Sequence, residues 1–270
     1  MNLSRRVVVF VELLTLTYAV SALAAVQTAP NPANRCHVPM ALLAASAPLP
    51  NTTRAIRRHR PLLIVALGSS STAGFGASKP AATYPAVLQR ELTSALGLPV
   101  RVLNRGVNGE IVAKTAARIS RDVLPLHPML VIWQAGTNDF LHSNLSSPHQ
   151  FETTLADGVG ELHQAGIDVI LMDLQYFPRG EKRPAMNRYL DAIDQVGELY
   201  HADVIHRHRI MSYWVASGEM SVDDMLYRDH FHMSDRGYQC LGKAVADFIL
   251  HKAQQQPDAE PTLAVPPPGL

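Results

Sequence analysis

The sequence predicts an α/β protein, a three-layer α/β/α sandwich around a central parallel sheet of about five strands. Three observations carry that prediction. Leu62 to Leu67, Val100 to Leu103, Met129 to Trp133 and Val169 to Leu174 are near-continuous apolar runs of strand length, the pattern of strands buried on both faces. Stretches with apolar residues at helical spacing lie between them, and strand-helix-strand alternation implies right-handed crossovers and so parallel strands. The composition suits one well-covered core: 270 residues, 47% hydrophobic and 17% charged, with 24 Lys+Arg against 23 Asp+Glu and a formal net charge of +1. That balance excludes a disordered chain, which needs low hydrophobicity and high net charge, and a nucleic-acid binder, which carries a basic excess. No internal repeat is visible, so solenoids and propellers are set aside.

The elements follow in chain order. Arg5 and Arg6, the apolar stretch Val7 to Val20 and the small-x-small Ala22-Leu23-Ala24 have the order of a secretory signal, so residues 1–24 read as a signal peptide and the protein as secreted or periplasmic. Uncleaved, residues 7–26 reach the roughly 20 residues of a membrane anchor, which is the alternative. Residues 25–60, rich in Pro, Ala and Asn and ending in Arg54, Arg57, Arg58, His59 and Arg60, read as linker with a solvated basic cluster.

Residues 61–253 form the domain. The first strand leads to a helix over Tyr84 to Leu96, stopped by Gly97, and the second to a helix over Ile111 to Val123. The third is followed by a helix over Phe151 to Ala165, stopped by Gly166, and the fourth by one over Pro184 to Tyr200. Val204-Ile205 is a short fifth strand, and Ser234 caps a last helix to Leu250. Residues 254–270, with three consecutive Gln and then Pro257, Pro261 and Pro266 to Pro268, cannot pack a core and read as a disordered tail. An oxidising compartment permits a disulfide between Cys36 and Cys240, but a loose thiol and a buried small hydrophobe fit the sequence equally well.

Reactive residues of a parallel sheet belong on loops at the carboxyl ends of its strands. After the first strand, Gly68-Ser69-Ser70-Ser71-Thr72-Ala73-Gly74 is a Gly-bounded turn that can expose a serine hydroxyl; it matches no phosphate-binding or dinucleotide fingerprint. After the second, the glycines of Asn104-Arg105-Gly106-Val107-Asn108-Gly109-Glu110 let the backbone turn N–H groups toward a ligand. After the third, Asn138 in Gly136-Thr137-Asn138-Asp139 offers an amide donor at the same rim. Late in the chain, Asp229 lies three residues before His232 on a loop, where a carboxylate can fix the imidazole tautomer and free the far nitrogen to take a proton.

Taken in order over about residues 62 to 252, these blocks resemble the SGNH or GDSL-type serine hydrolases, and the resemblance implies a flavodoxin-like hydrolase fold. It implies Ser70 as the nucleophile, with Ser69 and Ser71 as decoys, and Asp229 and His232 as its relay. It implies an oxyanion hole from the N–H groups of Ser70 and Gly109 and the amide of Asn138. His230 falls outside the motif. One position departs from the family, since Ser69 stands where an aspartate usually precedes the nucleophile; changed loop hydrogen bonding is the expected consequence.

The implied activity is that of a serine esterase working through an acyl-enzyme, on short-chain or carbohydrate O-acetyl esters. A lysophospholipase or thioesterase, an acyltransferase and a non-catalytic glycan-binding relative are the alternatives. No cofactor and no metal are expected: His230 and His232 near an aspartate make one pair with no third ligand at a familiar spacing. The expected partner is a small-molecule or glycan ester, with no nucleic acid, and with a membrane only if the N-terminal segment is retained. A neutral imidazole base titrating near its free value of about 6.5 would make activity fall below about pH 6.

Overall fold

A sheet of five parallel strands, in the order β2-β1-β3-β4-β5, forms the middle layer. The strands are β1 (Leu62–Gly68), β2 (Val100–Gly106), β3 (Leu130–Gln134), β4 (Asp168–Met172) and β5 (Asp203–Ile205). The computed structural model describes residues 36–44 and 47–255; the expected signal segment, and the tail from residue 256 on, lie outside the described residues. β3 and β4 are buried along their whole length, as continuous apolar runs demand, whereas β2 is an edge strand and alternates, leaving Arg101 exposed.

Eleven helices are described: α1 (Pro50–Arg57), α2 (Ser70–Ala73), α3 (Tyr84–Leu96), α4 (Val112–Ala116), α5 (Ile119–Asp122), α6 (Thr137–Leu141), α7 (Pro148–Gln164), α8 (Met186–Tyr200), α9 (Arg207–Ala216), α10 (Val222–Met225) and α11 (Asp235–Gln255). The α3 helix packs on α11, and α7 packs on α4 and α8. Right-handed crossovers put these two groups on opposite faces, because β1 connects outward to β2 while β2 connects back across β1 to β3. That reversal opens a crevice at the carboxyl ends of β1 and β3, the topological switch point where open α/β sheets bind ligands.

Local chemistry sets several boundaries. Ser147 and Gln150 form a reciprocal capping box that starts α7, with Pro148 in its first turn. The stretch from 111 to 123 is not one helix. It breaks between α4 and α5, where the buried Arg118 turns inward to donate to the carbonyls of Arg105 (2.6 Å) and Gly68 (3.2 Å). The helix α9 has no counterpart in the sequence reading.

The linker assigned to residues 25–60 is corrected by the described part of that segment. From Cys36 on it folds onto the domain, with Leu43, Leu49, Thr52, Thr53 and Ala55 buried. Its partners come from distant chain: the Asp168 carboxylate accepts the first amides of α1, from Thr52 (2.7 Å) and Asn51 (3.3 Å), and Asp203 accepts from Ala47 N (2.8 Å). The indole of Trp214 donates to the His37 carbonyl at 3.1 Å. The basic residues from Arg57 to Arg60, and Arg54, are exposed as expected. Cys36 and Cys240 are joined in a disulfide, which closes the alternatives that the sequence left open. Among the described residues no helix is long and apolar enough to cross a membrane.

The disulfide links residues 204 positions apart, so its main effect is to restrict the unfolded chain. Replacing both cysteines by alanine is expected to lower the unfolding free energy by about 2–4 kcal/mol. Urea denaturation of parent and variant, with and without reductant, checks this: reductant should shift the parent's midpoint and leave the variant's in place.

Candidate active site

The end of β1 delivers Ser69 and Ser70 into the crevice. Ser70 is the first residue of the one-turn helix α2, is 7% exposed, and directs its Oγ to Nε2 of His232 at 3.0 Å. The other face of that imidazole is fixed, since Nδ1 lies 2.6 Å from Oδ2 of Asp229. The second carboxylate oxygen of Asp229 accepts the backbone N–H groups of Phe231 (3.0 Å) and His232 (2.9 Å), so the loop holds the acid that holds the ring. Burial opposes the charge on Asp229, but the bonds from the His232 ring and the two amides outweigh it and hold the carboxyl below its ordinary range.

Aromatic rings confine the imidazole. Phe75 lies against it with ring centres 4.3 Å apart and the planes tilted by 41°, and Phe231 meets it edge-on at 4.6 Å. Phe75 is itself anchored: its N–H donates to the Ser70 carbonyl at 3.0 Å, and its carbonyl accepts from the Tyr238 hydroxyl at 2.7 Å. Its ring nevertheless stays 46% exposed.

The three adjacent serines take different roles in the geometry. Only Ser70 meets His232; Ser71 turns away to a buried side chain, and Ser69 turns to Gln134 at the end of β3. Where the GDSL pattern has a carboxylate, Ser69 donates through both N–H (3.0 Å) and Oγ (3.1 Å) to the side-chain oxygen of Gln134, which also accepts from Thr72 Oγ1 at 3.3 Å. The sequence reading missed Gln134. Its signal was a polar side chain ending an otherwise apolar, fully buried strand, which has to find hydrogen-bond partners.

The second and third loops meet beside this turn. Asn138, 8% exposed in α6, donates from Nδ2 to the carbonyl of Glu110 at 2.8 Å, a bond that uses one of the two N–H groups of its amide. The buried Asp139 carboxylate accepts from Val112 N at 3.1 Å, its carboxyl raised by burial. Gly109 directly precedes Glu110, at φ +76°, a conformation that favours glycine, with open space where a side chain would stand. Gly106 is required for a different reason: a Cβ there would lie 2.1 Å from the Ala73 N of the Ser70 turn. Direct hydrogen bonds thus join Ser70, His232 and Asp229, and the Glu110 carbonyl joins the Gly109 loop to Asn138.

The remaining histidines lie elsewhere. His230 is exposed, its Nδ1 3.6 Å from Asp223, and His208 bonds Glu181 at 2.6 Å. His206 sits between Asp173 and Asp194, at 3.5 and 3.6 Å, and its hydrogen bond with Asp173 raises its pKa against the effect of burial.

Residues 35–255 match the non-GDSL lipase-like family. The chain belongs to that family. It is a lipase- and esterase-type family distinct from the GDSL proteins, so the resemblance holds at the level of the wider hydrolase group and departs at the first block, where Gly-Ser-Ser-Ser replaces Gly-Asp-Ser. No curated protein matches the chain in sequence. Solved structures share its fold. A two-domain esterase active on acetylated mannans is 19% identical, with a TM-score of 0.67 over 81% of this chain and 57% of that one. This chain therefore spans little more than half of that esterase. A lipase/acylhydrolase from Enterococcus faecalis is 24% identical, with a TM-score of 0.61 over 74% of this chain and all of the other. A variant of an acetyl xylan esterase from Geobacillus stearothermophilus is 22% identical, with a TM-score of 0.59 over 70% and 94%.

In this family member, the Gln134 side-chain oxygen accepts from three buried donors. Gln134→Leu keeps the volume, strands the two donors of Ser69 and leaves Thr72 Oγ1 only its 3.5 Å contact with the Tyr84 hydroxyl, and should cost about 1–3 kcal/mol. Chemical denaturation beside the parent checks this; an unchanged midpoint would mean that the donors find other partners.

Proposed function

We propose that this protein is a serine esterase that hydrolyses short-chain or carbohydrate O-acetyl esters through a Ser70–His232–Asp229 relay. The hydrogen-bonded chain from Asp229 Oδ2 through the imidazole to Ser70 Oγ, 2.6 and 3.0 Å, at the switch point of a parallel sheet, carries the proposal. His232 takes the Ser70 proton as the hydroxyl oxygen attacks the ester carbonyl. The N–H groups of Ser70 and Gly109 and the second amide N–H of Asn138 receive the developing oxyanion. Collapse breaks the C–O bond to the alcohol, which leaves with the proton that His232 returns. Water, deprotonated by the same imidazole, then attacks the acyl-enzyme and releases the acid and free Ser70. Protein groups and water account for every proton.

Three observations favour a small acyl group on a sugar. The half-exposed Phe75 beside the relay and the neighbouring Tyr227, 38% exposed and set edge-on to it, give an apolar rim with an aromatic face of the kind that a pyranose can cover. His142, Ser143 and Asn144 add exposed polar groups on the loop after α6. Two of the proteins that share the fold are described as acting on acetylated mannans and acetyl xylan. The disulfide and the signal-like N-terminal residues support an activity outside the cytoplasm.

Steady-state kinetics on acetyl to octanoyl esters, with acetylated oligosaccharides beside them, test the proposal. Ser70→Ala should lower kcat by about 10⁴-fold or more, and Asp229→Asn by about 10³–10⁴-fold, with both variants folded. Rates that climb steeply from acetyl to octanoyl would assign the site to lipid or thioester substrates instead. Because Asp229 is held below the ordinary carboxylate range, its own titration lies outside the working pH range. The acid limb of log kcat/KM against pH should therefore have a slope of one proton; a slope of two would show Asp229 titrating with His232.

A further inference from the structure

We infer that Gln175 is the positioning residue that holds the three loops of the site in register, an inference that rests on the esterase reading above. Gln175 lies just beyond β4 and is fully buried. Three of its polar groups each reach a different loop, and each time the chain neighbour of a site residue. Its side-chain oxygen accepts from Ser71 Oγ at 2.7 Å, next to Ser70. Its Nε2 donates to the Phe231 carbonyl at 2.7 Å, next to His232. Its backbone N–H donates to Thr137 Oγ1 at 3.4 Å, next to Asn138. The Thr137 hydroxyl also accepts from the buried Arg207 guanidinium at 3.4 Å, which steadies that third contact.

The orientation of the amide is forced. The Phe231 carbonyl can only accept, so the nitrogen must face it and the oxygen must face the Ser71 hydroxyl. One rigid group therefore donates to the loop of the base and accepts from the turn of the nucleophile. Their sequence separations from Gln175 are 56 and 104 residues, so no local backbone geometry links them. The Ser70–His232 contact spans these same two loops, and a displacement of about 1 Å at such a contact can cost about 10²-fold in rate. Substrate binding along the rim does not need the bridge. Its loss is then expected in kcat.

Gln175→Ala and Gln175→Glu test this, with kcat expressed per titrated active site so that misfolded protein does not enter. Gln175→Ala should lower kcat by about 10–100-fold with KM within about twofold of the parent. Gln175→Glu is isosteric and carries the test even if the alanine variant fails to fold. Its protonated carboxyl can still donate to the Phe231 carbonyl, whereas its carboxylate can only repel it. The ratio of its kcat to that of the parent should therefore fall as pH rises through the titration of the buried carboxyl. A kcat per site unchanged by either variant, or a ratio flat with pH, would overturn the positioning role while leaving the esterase reading intact. A parent whose ester hydrolysis survives Ser70→Ala would overturn both.

Discussion

The contact between Ser70 Oγ and His232 Nε2, 3.0 Å long, is the one on which the rest of the structure depends, because its partners stand 162 residues apart. A hydroxyl is a weak nucleophile unless a base lies within hydrogen-bond reach, and that reach tolerates errors of only a few tenths of an ångström. The fold meets this demand by construction. β1 fixes Ser70 from one side of the switch point, and α11, packed beside α3 on one face of the sheet, fixes His232 through its preceding loop from the other. The disulfide to Cys240 and the Asp203–Lys252 pair, both on α11 and 3.1 Å in the latter case, tie that helix to the N-terminal arm and to β5. Parts of the molecule remote from the crevice thus limit how far the His232 loop can drift.

Beneath the relay lies a buried polar layer in which donors and acceptors are matched. Gln134 serves Ser69 and Thr72, Gln175 links Ser71 to Phe231, and Arg118 closes the carbonyls of Gly68 and Arg105. In a low-dielectric interior such groups are costly when unpaired and rigid when paired, so the layer fixes the loops more firmly than apolar packing would. The exchange of the GDSL aspartate for Ser69 fits this pattern. A neutral hydroxyl that donates to Gln134 needs no counter-charge in this buried turn, and Ser69 keeps the turn anchored through two bonds to one oxygen.

Much of this was legible in the sequence, and the limits follow from what a one-dimensional pattern encodes. The central strands β1, β3 and β4 were readable because burial on both faces leaves uninterrupted apolar runs, and α3 was readable to its ends because its periodicity stops at a glycine. The hydrogen-bonded pair Asp229 and His232 was readable because the two are three residues apart on one loop. Residues 36–60 were not. Their burial depends on Asp168, Asp203 and Trp214, more than a hundred positions away, and nothing local distinguishes an arm that finds such partners from a linker that does not. The helix α9, Arg-His-Arg-Ile-Met-Ser-Tyr-Trp-Val-Ala, mixes charge and bulk without a clear stripe, because Arg207 points inward as a buried cation. Gln134 and Gln175 escaped for the same reason: single polar residues acquire meaning only from what they face.

The measurement that tests the central claim most directly is intact-mass and peptide mapping of the folded protein after treatment with a fluorophosphonate, which reacts with an activated serine and not with an ordinary one. A relay assembled as described predicts one adduct per chain, on Ser70, with none on Ser69 or Ser71. A folded protein that takes no adduct, or takes it on another serine, would contradict the Ser70–His232–Asp229 assignment.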